Sequence, residues 1–316
     1  MKENKYQILD NEISLSIRTV AKYAVNTFHR LYYGILLNIV KPNKEFNTIY
    51  DVSICAIFKD EADYLKEWIE YHKIVGVDHF YLYNNLSNDN YYEALKPYVD
   101  SGDVTLIDWE IKQGQMQAYQ HWADNYKNES KWVGFIDLDE FVVPNKMSNI
   151  YDFLKKFDNN RPVVIMPWRY FGTSGLIDRD LKGLVTEDFT VGWYKYSDIG
   201  KYFFNTKYDY IQKYKWNRKM HSMWAGCKGI MLPPVNVFDK VCSCGINPVN
   251  TDEMPIQINH YLLKSYNEYM TKKIIRGGGD PEGTHDDEYF KYHEKYSTKI
   301  DNNILKYIDE LKKRMK

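Results

Sequence analysis

Residues 132–141 read Trp132-Val133-Gly134-Phe135-Ile136-Asp137-Leu138-Asp139-Glu140-Phe141. The first half is apolar and aromatic, as a buried strand is. The second half holds three carboxylates within four residues. Charge gathered at the end of a buried strand is costly unless something pairs with it, and a divalent cation does so. Asp137 and Asp139 are two apart, so on a continuing strand both leave one face while Glu140 points the other way. Two hard oxygen donors on one face suit Mg²⁺ or Mn²⁺, and such a cation suits a phosphate-bearing ligand. An Asp-x-Asp pair is short and also recurs as loop carboxylates and helix caps, so its neighbours must decide.

Upstream, β-branched and apolar residues from Asp51 to Phe58 form a first strand. A helix follows from Ala62 to about Val75, with Leu65, Trp68, Ile69, His72 and Val75 on one face. Lys66, Glu67, Glu70 and Lys73 lie opposite, and Gly76 stops the helix. His72 on the apolar face reads as a half-buried packing residue, not a ligand. His79–Tyr83 is the second strand, Tyr91–Val99 a helix, Val104–Trp109 the third strand, Gln115–Tyr126 a helix and Trp132–Ile136 the fourth strand. Strand and helix alternate four times, which predicts an α/β fold with a mostly parallel sheet covered on both faces. Ligands of such sheets sit at the carboxyl ends of the strands. The polar clusters at 59–61, 84–89 and 137–140 all fall there. No Gly-x-Gly-x-x-Gly or phosphate-loop lysine follows a strand, which counts against dinucleotide dehydrogenases and P-loop enzymes.

Beyond residue 145 the pattern is less regular. Ile150–Phe157 reads as a helix, Val163–Trp168 as a strand and 169–175 as a loop with aromatic and hydroxyl groups. Residues 193–220 are rich in Tyr, Lys and Trp, including Lys213, Lys215, Arg218 and Lys219. Ile256–Leu263 is apolar but holds Asn259 and His260. Tyr266–Arg276 reads as a basic helix, the glycines at 277–279 as a break, residues 280–287 as acidic, and 300–316 as a terminal helix. At the other end Ile13, Ile17, Val20, Ala24, Thr27, Leu31 and Ile35 recur at helical spacing, interleaved with Arg18, Lys22 and Arg30. That helix fits an anionic membrane surface, or packing on its own domain or on a partner chain, and the small basic excess favours packing. The expected organisation is a helical extension over 1–50, a main domain over 51–298 and a terminal helix over 299–316. Within the main domain, 51–145 is the nucleotide-binding half and 146–298 the acceptor half.

Composition sets the bounds. The chain has 316 residues, 44% of them hydrophobic, enough for a large core. A net charge of −1 offers no bulk attraction for nucleic acid, so none is expected as a partner. The 29 Tyr and 8 Trp supply flat apolar faces with a polar edge, suited to sugar rings and bases. Cys55 reads as a small core residue. Cys227, Cys242 and Cys244 with His221 match no usual zinc spacing. The first twelve residues are polar and mixed in charge, so no secretory leader is expected, and the apolar run 31–40 is about half a membrane span. A soluble, cytoplasmic protein follows, peripheral at the inner face of a membrane if residues 1–50 bind one.

Three ordered blocks, IFKDEADYLKEWIEYHKIVGVDHFYLYNN, WVGFIDLDEFVVP and INHYLLKSYNEYMTKKIIRG, together spanning roughly 52–280, resemble glycosyltransferase family 92. That family is related to the family 2 glycosyltransferases of the GT-A fold. The resemblance implies a nucleotide-sugar donor, usually a UDP-sugar, a divalent metal, Mn²⁺ or Mg²⁺, and inversion at the anomeric carbon. Galactosyl transfer is known in the family. It makes Asp139 a direct metal ligand, Asp137 a contact to the metal or to the donor's ribose and sugar, and His260 the histidine that completes the metal site. Lys59, Asp60, Asn84 and Asn85 fall where the nucleoside is held, and Gln117 and Tyr119 on the helix facing the donor. Between 193 and 258 the sequence departs from the family; Cys227-Lys228-Gly229 with Pro233-Pro234 stands in for the block whose lysine, here Lys228, contacts the diphosphate.

The implied chemistry is a single displacement in which an acceptor hydroxyl attacks the anomeric carbon as UDP leaves, helped by a general base. Glu187, in LVTEDF, matches a family carboxylate and is the first candidate, ahead of Asp188 and Asp180. The acceptor is expected to be a glycan or a lipid-linked glycan of a surface polysaccharide or lipopolysaccharide. The same acids would also serve a phosphohydrolase of nucleotide-sugars, and the Tyr/Trp surface a non-catalytic sugar-binding protein.

Overall fold

Five β-branched or apolar side chains between Val52 and Phe58 are buried, and this run is the first central strand, β1 (Tyr50–Phe58). A computed structural model describes residues 17–197, 199–211, 221, 223–242, 251–271 and 286–316. Helix α1 (Ile17–Ile39) precedes β1, and then come α2 (Ala62–Ile74), β2 (His79–Asn84), α3 (Tyr91–Asp100), β3 (Val104–Asp108), α4 (Gln115–Asn125) and β4 (Ser130–Phe135). The second half runs β5 (Glu140–Pro144), α5 (Ile150–Leu154), β6 (Val163–Tyr170), α6 (Val185–Asp188), β7 (Val191–Trp193), β8 (Gly200–Asn205), β9 (Asp209–Tyr210), β10 (Ala225–Cys227), β11 (Ile230–Leu232) and β12 (Val235–Asn236). It closes with β13 (Ile256–His260), α7 (Tyr266–Tyr269), α8 (Asp287–Tyr296), β14 (Ser297–Ile300) and α9 (Ile308–Met315).

The main sheet has the order β3-β2-β1-β4-β8-β6-β13-β5, with β12 beside β6. Strands β1 to β4 pair in parallel. β8 runs antiparallel between β4 and β6, and β13 pairs parallel to β6 and antiparallel to β5. The expected α/β class and the mostly parallel sheet are found. Helices cover both faces: Trp68 of α2 meets Phe80 at 5.5 Å, while Trp122 of α4 meets Tyr81 at 6.2 Å. Phe80 and Tyr81 are successive in β2, so these contacts lie on opposite faces. Fully buried Trp68, Trp122 and Trp132 each remove roughly 200 Å² from water, worth about 5 kcal/mol of transfer free energy.

The link from β4 to β5 curls the sheet. Phe135 to Glu140 spans at most about 17 Å of chain, whereas β5 stands four strand spacings from β4 in the hydrogen-bond order, about 19 Å in a flat sheet. The sheet therefore bends round at this corner, and the acidic turn 136–139 lies at the bend. β4 ends at Phe135 and does not continue to carry Asp137 and Asp139 as alternating strand positions, so the expectation that Glu140 points away from them fails.

Two other expectations change. Glu67, placed by periodicity on the solvated face of α2, is 4% exposed. Its carboxylate accepts from Val185 N (2.8 Å), Thr186 N (2.9 Å) and Thr186 Oγ1 (2.8 Å), so it caps the start of α6. In α1 the apolar stripe at Ala24, Thr27, Leu31 and Ile35, expected to pack, faces outward. The packed side is Tyr33, Leu36, Leu37 and Val40. The positions Ile13 and those around 213–219 and 272–285, including the glycine break, lie outside the described residues, as does Cys244. The strands β5, β7 to β12 and β14 and the helices α6 and α8 carry no clear periodic signal in the sequence. The terminal helix begins only at Ile308, after a 3₁₀ turn over Asn303–Tyr307.

Candidate metal centre and donor site

The corner brings together residues from three places in the chain. Strand register pairs His260 of β13 with Glu140 of β5, and Tyr261 N donates to Asp139 O at 2.8 Å. Trp68 Nε1 donates to both Glu140 O (2.9 Å) and Asp137 O (3.2 Å), pinning the two ends of the turn to α2. Asp137 N donates to Glu140 Oε2 at 2.9 Å. The turn is thus held by backbone, indole and Glu140 carboxylate contacts.

Asp139, Glu140 and His260 offer ligand atoms within 4.8 Å of one another, the group able to hold a metal among the described residues. His260 Nε2 is 3.6 Å from Asp139 Oδ1, and His260 Nδ1 is 3.9 Å from Glu140 Oε1. Glu140 Oε1 and His260 Nδ1 are both buried with no hydrogen-bond partner. Two orphaned polar atoms facing each other are costly unless a cation completes them. Two carboxylates and one imidazole suit Mn²⁺ or Mg²⁺, so these residues fit the expected metal. Burial raises the Glu140 pKa well above the usual carboxylate range; Lys201 opposes the rise, while Asp137 and Asp139 add to it.

Asp137 is turned elsewhere. Its Oδ2 accepts from Lys201 Nζ at 2.7 Å and its Oδ1 from Gln115 Nε2 at 3.1 Å. Lys201, on β8, is 1% exposed and also stands 3.8 Å from Glu140 Oε1. Burial alone would lower its pKa, but Asp137, Glu140 and Asp139 outweigh that and hold it above the usual lysine value. Gly200 makes the placement possible: a Cβ there would lie 1.9 Å from Met166 O, so only glycine lets β8 approach β6 this closely. Gln115, Lys201 and the turn of Glu140 toward Asp137 are not apparent from the sequence. Lys201 sits in an apolar strand, and a lone lysine in such a run was the available signal.

The other expected donor residues divide. Asp60, with a left-handed φ of 52°, receives Asn88 N on Oδ1 (2.7 Å). Asn84 donates to Asp108 Oδ1 (2.9 Å) and accepts from Ser87 N (3.0 Å), and Asn85 donates to Trp109 O (2.7 Å) and Ile111 O (2.8 Å). These side chains stitch the loops after β1, β2 and β3 into one rim at the carboxyl ends of the strands. Lys59 is exposed on that rim. Gln117 is exposed, while Tyr119 is buried and its hydroxyl accepts from Gln115 Nε2 at 2.8 Å. Lys228 lies in the β10–β11 turn and donates to Asn43 Oδ1 at 3.0 Å; the lysine that meets the carboxylates is Lys201.

Glu187 ends up in an ion pair with Lys312 of α9 at 2.6 Å, both about half exposed. Its neighbour Asp188 stands 3.6 Å from Arg179, whose side chain is 3% exposed. Burial raises the Asp188 pKa above the usual range, against the pull of Arg179. Arg179 also lies 3.9 Å from Glu268, which accepts from Tyr64 OH at 2.5 Å. Asp180 is an exposed loop residue whose Oδ1 accepts from Lys182 N. Cys227 and Cys242 are buried and join no metal-capable group among the described residues.

The chain belongs to glycosyltransferase family 92, whose sequence pattern matches residues 50–315. A family 92 protein of Ricinus communis is 28% identical over 190 residues, 58% of this chain and 33% of that protein. Galactan beta-1,4-galactosyltransferase GALS3 of Arabidopsis thaliana is 29% identical over 137 residues, 39% of this chain and 27% of that protein. The chain thus spans about a third or less of these relatives' own length. Among solved structures, residues 1–349 of S. aureus TarS superpose with a TM-score of 0.35 at 12% identity, over 49% of this chain and 47% of that one.

Proposed function

We propose that this chain is a metal-dependent, inverting glycosyltransferase that moves a hexose from a UDP-sugar to a glycan or lipid-linked acceptor, in synthesis of a surface polysaccharide or lipopolysaccharide. Galactose is the first sugar to test, given the activity in the Arabidopsis relative's name. The carrying observation is the Asp139–Glu140–His260 group, with two buried orphan atoms, at the carboxyl ends of parallel strands. Work at the cytoplasmic face of a membrane, where lipid-linked acceptors are presented, belongs to the same proposal.

Asp139, Glu140 and His260 would hold the cation. Held by these three residues, a divalent cation would supply charge neutralisation at the leaving diphosphate, which would favour the transition state over the ground state. Lys201 holds Asp137 in a fixed orientation, so that Asp137 presents its carboxylate to the donor without a search among rotamers. The rim built by Asp60, Asn84 and Asn85, with Lys59 and Gln117 exposed near it, is the proposed nucleoside site. Lys228 keeps a proposed diphosphate contact only if the donor reaches the β10–β11 turn. The general base is one of two adjacent carboxylates. Glu187 carries the family match, while burial raises the Asp188 carboxyl pKa above the usual range.

The test is a thermal-shift panel of nucleotides and nucleotide-sugars, each with Mn²⁺ or with chelator. A ligand that binds the folded state raises the melting temperature by mass action. A metal-dependent shift with UDP or one UDP-sugar is expected. Release of free sugar without acceptor dependence would favour a phosphohydrolase, and sugar binding unchanged by chelator a non-catalytic binding protein.

A further inference from the structure

Helix α1 presents an apolar face that nothing in the described chain covers. Phe28, Leu31, Tyr32, Ile35 and Ile39 are 65%, 70%, 50%, 62% and 71% exposed. Their spacing of three and four residues puts them in one stripe. The opposite side carries the contacts to the body: Leu37 and Val40 are buried, Tyr33 meets Trp224 edge-on at 5.1 Å, and Asn38 Oδ1 accepts from Arg161 at 3.5 Å. The helix is therefore docked by one apolar face with a second apolar face left outward. An aligned stripe of five large apolar side chains differs from the scattered exposed hydrophobics of an ordinary surface.

Charge selects the occupant. Residues 17–44 contain Arg18, Lys22, Arg30, Lys41 and Lys44 and no Asp or Glu, in a chain whose net charge is −1. Lys41 and Lys44, just past the helix, are exposed. Two copies paired along this basic segment, which holds no acid, would set like charges against each other. An anionic bilayer gains from both features, since apolar side chains enter the acyl boundary while cations stay at the headgroups. No described helix is long and apolar enough to cross a membrane, so the helix lies along the surface over a length of about 34 Å.

We propose that α1 is a docking surface for an anionic lipid bilayer, with Phe28, Leu31, Tyr32, Ile35 and Ile39 entering the lipid. The inference stands apart from the proposed reaction, because vesicle binding needs neither donor nor metal.

The experiment is vesicle flotation of the 316-residue chain with phosphatidylcholine vesicles and with vesicles one quarter phosphatidylglycerol. A triple variant, Leu31→Ser, Ile35→Ser and Ile39→Ser, is run in parallel, with melting temperature and sedimentation velocity as controls. The chain is expected to float with the anionic vesicles, several-fold less at high salt. In the triple variant binding should fall about tenfold or more at unchanged melting temperature. No flotation on anionic vesicles overturns the proposal, as does equal flotation of the variant. A wild-type dimer that the triple variant abolishes also overturns it, by assigning the face to a second copy. Lys41→Glu with Lys44→Glu, which leaves the apolar face intact, should lose the preference for anionic vesicles; an unchanged preference overturns the electrostatic part.

Discussion

The Lys201 ammonium and the Asp137 carboxylate meet at 2.7 Å, 64 residues apart in the chain, with Lys201 almost wholly buried. The contact turns the Asp137 carboxylate toward β8, while Asp139, Glu140 and His260 make up the group able to hold a metal among the described residues. A buried cation among three carboxylates stays charged because removing it would leave them uncompensated. Lys201→Met should therefore destabilise the fold by about 3 kcal/mol, the low end for a broken buried pair, since Asp137 is itself one-third exposed. Urea denaturation measures this. A variant as stable as wild type would mean that water replaces the ammonium at no cost.

The metal group makes a ranked prediction. His260→Ala and Asp139→Asn should each weaken Mn²⁺ binding by about a hundredfold. Asp137→Asn should weaken it less, because Lys201 and Gln115 already hold that side chain. Titration of free Mn²⁺ by electron paramagnetic resonance reads all three. Equal losses at Asp137 and Asp139 would restore the pair read from the sequence as joint ligands.

The adjacent carboxylates can be separated by kinetics. If transfer is established, loss of the general base should lower kcat by about a hundredfold or more with donor binding kept. Asp188→Asn is expected to show this, and Glu187→Gln to cost only its ion pair with Lys312. The reverse result would return the role to Glu187.

His72 gives a pH dependence. Burial lowers its pKa to about 3. Val142 N donates to Nε2 at 3.2 Å, so the proton sits on Nδ1 and is donated to Trp68 O at 2.8 Å. The unfolded chain takes up a proton below about pH 6.5, while the folded chain does not until near its depressed value. Stability from this group is present above about pH 6.5 and is lost as pH falls below it, at up to about 1.4 kcal/mol per pH unit. Urea denaturation between about pH 7 and 5 should show a shallower slope in His72→Asn. An unchanged slope would place the acid sensitivity in other groups.

The apolar runs 51–58, 79–83, 104–109 and 132–136 and the helices between them were legible in the sequence, because strand and helix periodicities are local. The acids after β4 and His260 were legible as candidates, because charged or titratable residues inside apolar runs are costly without a partner. Local pattern has no access to a partner distant in sequence. Glu67 reads as a surface acid until α6 is laid against it. Lys201 is one lysine in a Tyr- and Lys-rich stretch until β8 inserts between β4 and β6. Glu140 points away from Asp139 only if the strand continues, and the bend of the sheet ends it at Phe135. The outward stripe of α1 has the same helical spacing as a packed one; which face meets the body depends on where Trp224 and Arg161 stand. The sequence by itself determined the alternating elements, the family and the acidic end of β4. The tertiary structure alone decided which oxygens face a cation and which a lysine, because strand order and sheet curvature set distances between residues that no spacing along the chain records.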